Sequence, residues 1–216
     1  MRNFSLHRFL AMLLMAVSSA TLSVAQNVAK IDSTEYATLK EAVDAVQPGA
    51  KGYIYILNDA SFDDLRIEGK QIIINLQNYT VTGNKIDVYG TEGTDTYLKI
   101  LDAKAEGLSV DATNNYKVSY TTSGTLELTG SICASNGAGI KVESGTVVST
   151  QDIALFALGD ETGQKDIPSY ISITGGYVKA QEFGASPQGR GASVTVDGAA
   201  VIESLDNAAV AGHGTN

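Results

Sequence analysis

Two periodicities divide the chain. Leu39, Ala42, Val43 and Val46 fall at i, i+3, i+4 and i+7, which puts them on one side of a helix. Thr38 and Glu41 precede and enter that run at the S/T-x-x-E spacing, where a hydroxyl and a carboxylate each take a free amide of the first turn. Pro48-Gly49 ends it. A helix of about three turns is not stable alone, so its apolar stripe must cover something. After Gly52 the pattern changes to short alternating segments rich in Ile, Val, Tyr and Thr, the signature of half-buried strands. The principal ones are 53–57, 71–76, 96–101, 125–129, 146–149, 170–174 and 193–196. Shorter candidates are 86–89, 117–120, 139–142, 153–158 and 208–211.

The strands recur. Placing Leu126, Val147, Ile171 and Val194 in one column gives steps of 21, 24 and 23 residues, and the looser steps upstream reach 28. Thr125–Gly130, Tyr170–Gly175 and Ser193–Gly198 share a phrase: two apolar residues around a polar one, then a polar residue and Gly. A fixed period in the twenties predicts a solenoid, because one unit cannot bury its own apolar face. The leucine-rich framework is absent, so the expected unit is a coil of three short strands. Leu126, Leu128, Ile171, Ile173, Val194 and Val196 should then point inward, with Glu127, Ser172 and Thr195 outward. Gly130, Gly175, Gly176 and Gly198 fall at the bends. Seven or so coils spaced ~4.8 Å apart would make a rod roughly 35 Å long.

The stretch from Ala29 to Pro48 (AKIDSTEYATLKEAVDAVQP) and the one from Ile72 to Gly83 (IIINLQNYTVTG) resemble the opening of secreted bacterial right-handed parallel β-helix proteins of the pectate-lyase-like, adhesin-like kind. Ile171–Lys179 and Ala138–Gly145 are similar to the repeated units of that family. The resemblance implies an all-β, right-handed parallel β-helix in coils of about 21–28 residues, with the 39–46 helix capping its first coil. Tyr79 departs from the pattern, standing where a Gly-His pair is common. The expected organisation is a signal peptide at 1–25, an N-terminal segment with the capping helix at 26–50, and the β-helix at 51–216. Nothing resembling a cap follows the last strand candidate, so either the pattern continues beyond Asn216 or a partner covers that end.

Composition narrows the function classes. Hydrophobic residues make up 44% and charged residues 18%, ordinary for a folded domain. Arg2 and Arg8 precede a short apolar run, Phe9–Val17, and Ser23-Val24-Ala25 offers a cleavage site before Gln26, so the chain is expected to be exported and cleaved. Cleavage takes the net charge from −9 to −11. An acidic surface with scattered lysines is unsuited to nucleic acid or anionic lipid. No later segment is apolar enough to span a membrane. The single cysteine, Cys133, excludes an intrachain disulfide framework and is expected to pack as a small apolar side chain.

The candidate chemistry is sparse. Arg66 and Arg190 are the only arginines after cleavage, far apart, and read as solvated rather than as proton-abstracting bases of a lyase. Asp59, Asp63 and Asp64 form the densest acidic patch and are weak candidates for Ca²⁺, without EF-hand or calcium-roll spacing. No column of carboxylates offers a hydrolase pair. His213, the only histidine after cleavage, has no nucleophile elbow to serve. The expectation is therefore no catalytic residues and no cofactor. The function expected is a non-catalytic, adhesin-like or scaffold module whose outward Glu127, Lys141, Ser172 and Thr195 present a repetitive polar face to a glycan or a surface protein. The ten tyrosines could add stacking surface for sugar rings. A polysaccharide-active enzyme, lyase or glycosidase, is the alternative, by fold analogy alone.

Overall fold

The computed structural model describes residues 26–160, 162 and 164–212, so the segment 1–25, expected to be a signal peptide, and His213 lie outside the described residues. The chain begins as an antiparallel pair, β1 (Ala29–Ile31) and β2 (Thr34–Tyr36), and enters helix α1 (Leu39–Ala45). Thr38 is the N-cap: its hydroxyl accepts from Glu41 N, and the Glu41 carboxylate accepts from Thr38 N, both at 3.1 Å. Leu39, Ala42 and Val43 are fully buried and Val46 nearly so. The Lys70 ammonium donates to the Val43 and Val46 carbonyls (3.0 and 2.8 Å), placing a cation where the helix leaves its last acceptors unpaired.

From there the chain repeats a circuit of three strands. The first two circuits are β3 (Lys51–Ile56), β4 (Ala60–Ser61), β5 (Asp64–Glu68) and β6 (Gln71–Asn75), β7 (Thr80–Gly83), β8 (Lys85–Tyr89). The third begins with β9 (Tyr97–Leu101), is interrupted by a hairpin of β10 (Ser109–Asp111) and β11 (Lys117–Ser119), and resumes with β12 (Thr125–Leu128) and β13 (Ile132–Ser135). Then follow β14 (Gly139–Val142), β15 (Thr146–Ser149), β16 (Leu155–Leu158); β17 (Tyr170–Ile173), β18 (Tyr177–Ala180), β19 (Ala185–Gln188); and β20 (Ser193–Val196), β21 (Val201–Ser204).

Corresponding strands pair in parallel and make three sheets. Sheet A is β3-β6-β9-β14-β17-β20 with β1 and β2 antiparallel on the β3 edge; sheet B is β4-β7-β12-β15-β18-β21; sheet C is β5-β8-β13-β16-β19, extended by a parallel bridge from Ala185 to Val210. The protein is thus mostly β, with parallel sheets. Inward residues form continuous columns. In sheet A, Ile54, Ile74, Ile100, Val142, Ile173 and Val196 are successive register partners. In sheet B the column is Ala60, Val81, Leu126, Val147, Val178 and Ile202. Together with the sheet C column Leu65, Ile86, Ile132, Leu155 and Ala185, they form one apolar core, apart from Val196, which is exposed.

The single column expected for Leu126, Val147, Ile171 and Val194 does not exist. Leu126 and Val147 are partners in sheet B, whereas Ile171 and Val194 are partners in sheet A. All three sheets carry the same in-out alternation, so one phrase fits any of them. The segment 117–120 also differs: β11 belongs to the exposed hairpin and not to the three sheets. At the bends, Gly176 and Gly198 take left-handed φ of 82° and 64°, as their position required; Gly130 and Gly175 do not. Buried Asp102 fastens the base of the hairpin insertion by accepting from the backbone of Asn78 (3.2 Å), Lys104 (2.8 Å) and Gly124. Among the described residues no helix is long and apolar enough to cross a membrane.

Candidate binding face on sheet A

Strand alternation turns every second side chain of sheet A outward, and parallel register stacks those side chains into ladders. Lys141, Ser172 and Thr195 are consecutive partners in one such ladder, which begins with Tyr53, Ile73 and Lys99. Three of the four residues expected to form a polar face are therefore together. Glu127 is not with them: it is exposed on sheet B between Thr82 and Val148. Its phrase matches that of Ser172, but the two segments occupy different sheets.

The ladder beside it runs Gln71, Tyr97, Gly139, Tyr170, Ser193. Gly139 is needed for packing here, because a Cβ at that position would run into the Tyr170 ring. The Lys141 ammonium lies 3.7 Å from the centre of the Tyr97 ring and 5.6 Å from that of Tyr170. Such contacts contribute about 0.5–2 kcal/mol, more as water is excluded. Tyr97 is buried and Tyr170 half-buried. Burial, then the nearby Asp95 carboxylate and Tyr97, pushes the Tyr170 phenol up to about 12. Lys99 is paired with Glu143, and Gln71 donates to Asp95 at 3.3 Å.

A second aromatic group lies at the β1 edge. The Tyr53 and Tyr55 rings are 4.7 Å apart and tilted by 41°; Lys30 is 5.5 Å from the Tyr55 ring; and the Asn75 amide donates to the Tyr53 hydroxyl at 3.4 Å. Tyr53, Tyr55, Tyr97 and Tyr170 thus share a face with Lys30, Lys51, Lys99 and Lys141. Sequence alone counted these tyrosines without grouping them. Their membership of one face depends on register across segments that are not adjacent in the chain.

The other candidates do not converge. Asp59 accepts from Thr80 N at 2.8 Å, Asp64 accepts from the Asn84 amide at 2.7 Å, and the Asp63 carbonyl accepts from Asn84 N at 2.8 Å. These bonds tie one circuit to the next. Among the described residues no group of three or more His, Cys, Asp or Glu side chains could hold a metal ion. Arg66 binds Glu68 at 2.9 Å and stacks 4.7 Å over Tyr89 on sheet C, while Arg190 binds Asp166 at 2.6 Å in a separate loop. Among the described residues no register pair joins two carboxylates. Cys133 is half-buried on the outward side of sheet C between Asp87 and Phe156; burial, and then Asp87, pushes its thiol up to about 11.

A scan against protein-family models, a search of curated proteins and a search of solved structures found no match to this chain.

Proposed function

We propose that the three sheets are the faces of a right-handed parallel β-helix, and that the chain is an exported, non-catalytic module that binds a glycan along the outer face of sheet A. The observation carrying this reading is the Lys141 ammonium set against Tyr97 and Tyr170, in line with Ser172 and Thr195. Tyrosine edges and faces suit the C–H faces of sugar rings, and hydroxyl and ammonium groups suit their polar edges. Of the four lysines on this face Lys99 is answered by Glu143, and Lys30, Lys51 and Lys141 favour a glycan carrying acidic groups. Strands ~4.8 Å apart supply repeated contacts to a polymer lying across them.

An array of neutral and acidic glycans, followed by calorimetry on the best binder, tests it. Acidic glycans should bind, weaken as salt is raised, and lose at least about tenfold in affinity in Tyr170→Ala and Lys141→Ala, the size of one or two such contacts. A blank array with a protein recovered on pull-down would move the module to a protein partner. Unsaturated products from a uronate polymer would overturn the non-catalytic reading.

A further inference from the structure

The β10–β11 hairpin leaves the chain between sheets A and B and folds back along the outer side of sheet B. Its base is held by the backbone pairing of Glu106 with Thr121 and Thr122 (2.9–3.2 Å) and by Asp102. Its tip is Asn115-Tyr116, both at left-handed φ (51° and 53°), the backbone of a tight hairpin turn. Between the hairpin and β18 and β21 lies an open cleft of about 730 Å³, within the range of small-molecule sites. Val110 and Val118 are directly paired and, with Tyr116, form its outer wall; Val110 is 45% and Tyr116 70% exposed. The floor carries Tyr177, whose hydroxyl donates to the Glu203 carboxylate, and Lys179, 3.4 Å from the same carboxylate.

This chemistry differs from that of sheet A. On the floor Glu203 answers Lys179, so the floor itself favours neither sign of charge; Lys117 lines the hairpin side, while the Asp111 carboxylate opposite it in register is taken up by the Thr113 amide and hydroxyl. The cleft has an apolar, aromatic wall facing a floor that offers a carboxylate, an ammonium and a phenol side by side. A ligand with one C–H face and an edge of hydroxyls, each both donor and acceptor, satisfies both surfaces. A charged polymer would leave one member of the Lys179–Glu203 pair opposed. A sheet-like peptide would leave the polar floor unmatched between its alternating side chains. We propose that the cleft between the hairpin and sheet B binds a neutral oligosaccharide, with Tyr116 as the stacking wall and Tyr177, Lys179 and Glu203 reading hydroxyls. This extends the glycan reading to a second face of different charge, and the two fail separately.

The test uses the whole chain, labelled with ¹⁵N and titrated with neutral β-1,4-linked hexamers of glucose, mannose, xylose and N-acetylglucosamine. One of them should shift the amides of Tyr116–Val118, Tyr177–Lys179 and Val201–Ser204, to a similar extent at low and high salt. Tyr116→Ala should weaken that binding at least about tenfold, as loss of one stacking ring does. Tyr116→Phe should bind like the unsubstituted chain, and Tyr170→Ala on sheet A should leave the cleft unaffected. Tyr116 is exposed, so neither of its variants threatens the fold. If no hexamer moves these amides, or if one does and Tyr116→Ala binds it equally well, the proposal is wrong. Acidic-glycan binding that is lost in Tyr170→Ala but kept in Tyr116→Ala would leave the sheet A reading standing alone.

Discussion

Where the three sheets begin, Leu39, Ala42 and Val43 of α1 are wholly buried against β1, β2 and β3. In the last circuit, Val196 is 46%, Leu205 53% and Val210 42% exposed. Val196 occupies the same inward column as Ile100 and Ile173, both fully buried. The local sequence is equivalent and the burial is not. In this architecture an inward side chain is covered by its own circuit and by the circuits on either side, so the energy of one residue depends on what lies above and below it. At the first circuit α1 and β1 take the place of a preceding layer, and Lys70 closes the helix end. Those two contacts set the first circuit apart from the last.

The largest expected effect comes from testing that contrast within one column. Ile100→Ala should destabilise the protein by about 2–5 kcal/mol, the loss for a buried aliphatic side chain plus its cavity. Val196→Ala should fall within about 0.5 kcal/mol, as for a surface change. Urea unfolding of both variants measures the difference, and equal losses would show that the last circuit is as well packed as the middle. A smaller effect is expected at the covered end. Thr38→Ala removes half of the capping box and should cost about 1 kcal/mol. Hydrogen exchange should place its increase in α1 and β3, with β20 unchanged; an increase spread evenly over the sheets would contradict a local role.

The smallest effect is a rate rather than a stability. The Cys133 thiol, in a middle circuit, is pushed up to about 11, so its reactive thiolate is scarce near pH 8 and grows as pH rises toward that value. Iodoacetamide labelling followed by mass spectrometry should therefore be slow at pH 8 and accelerate steadily to pH 10. Fast labelling at pH 8 with the fold intact would mean that its place in a middle circuit does not suppress the thiolate.

Much of the local structure was readable in the chain. The capping box, the stripe ending at Val46, and the strands at 139–142, 146–149 and 193–196 all follow from periods of 3.6 and 2, which involve only near neighbours. Strands such as β13 and β19 were missed because Cys, Ala, Ser and Pro give weak strand signals and are held by their partners instead. The candidate face was half legible. Lys141, Ser172 and Thr195 fall in one ladder and Glu127 lies on another sheet, while the rings of Tyr97 and Tyr170 beside Lys141 carried no signal of their own.

Alternation along each strand decides which side chains point inward, and that decision is local, so the sequence determined it. Which strands meet depends on the accumulated length of every connection between them. The insertion from Asp102 to Gly124 and the loop between β16 and β17 each lengthen a circuit without altering the alternation on either side. Tertiary structure alone therefore decided that Val147 and Ile171 belong to different sheets, that Tyr97 and Tyr170 flank one lysine, and that the hairpin forms one side of an open cleft against β18 and β21. Inward or outward is a property of two neighbouring residues; a shared face is a property of the whole path.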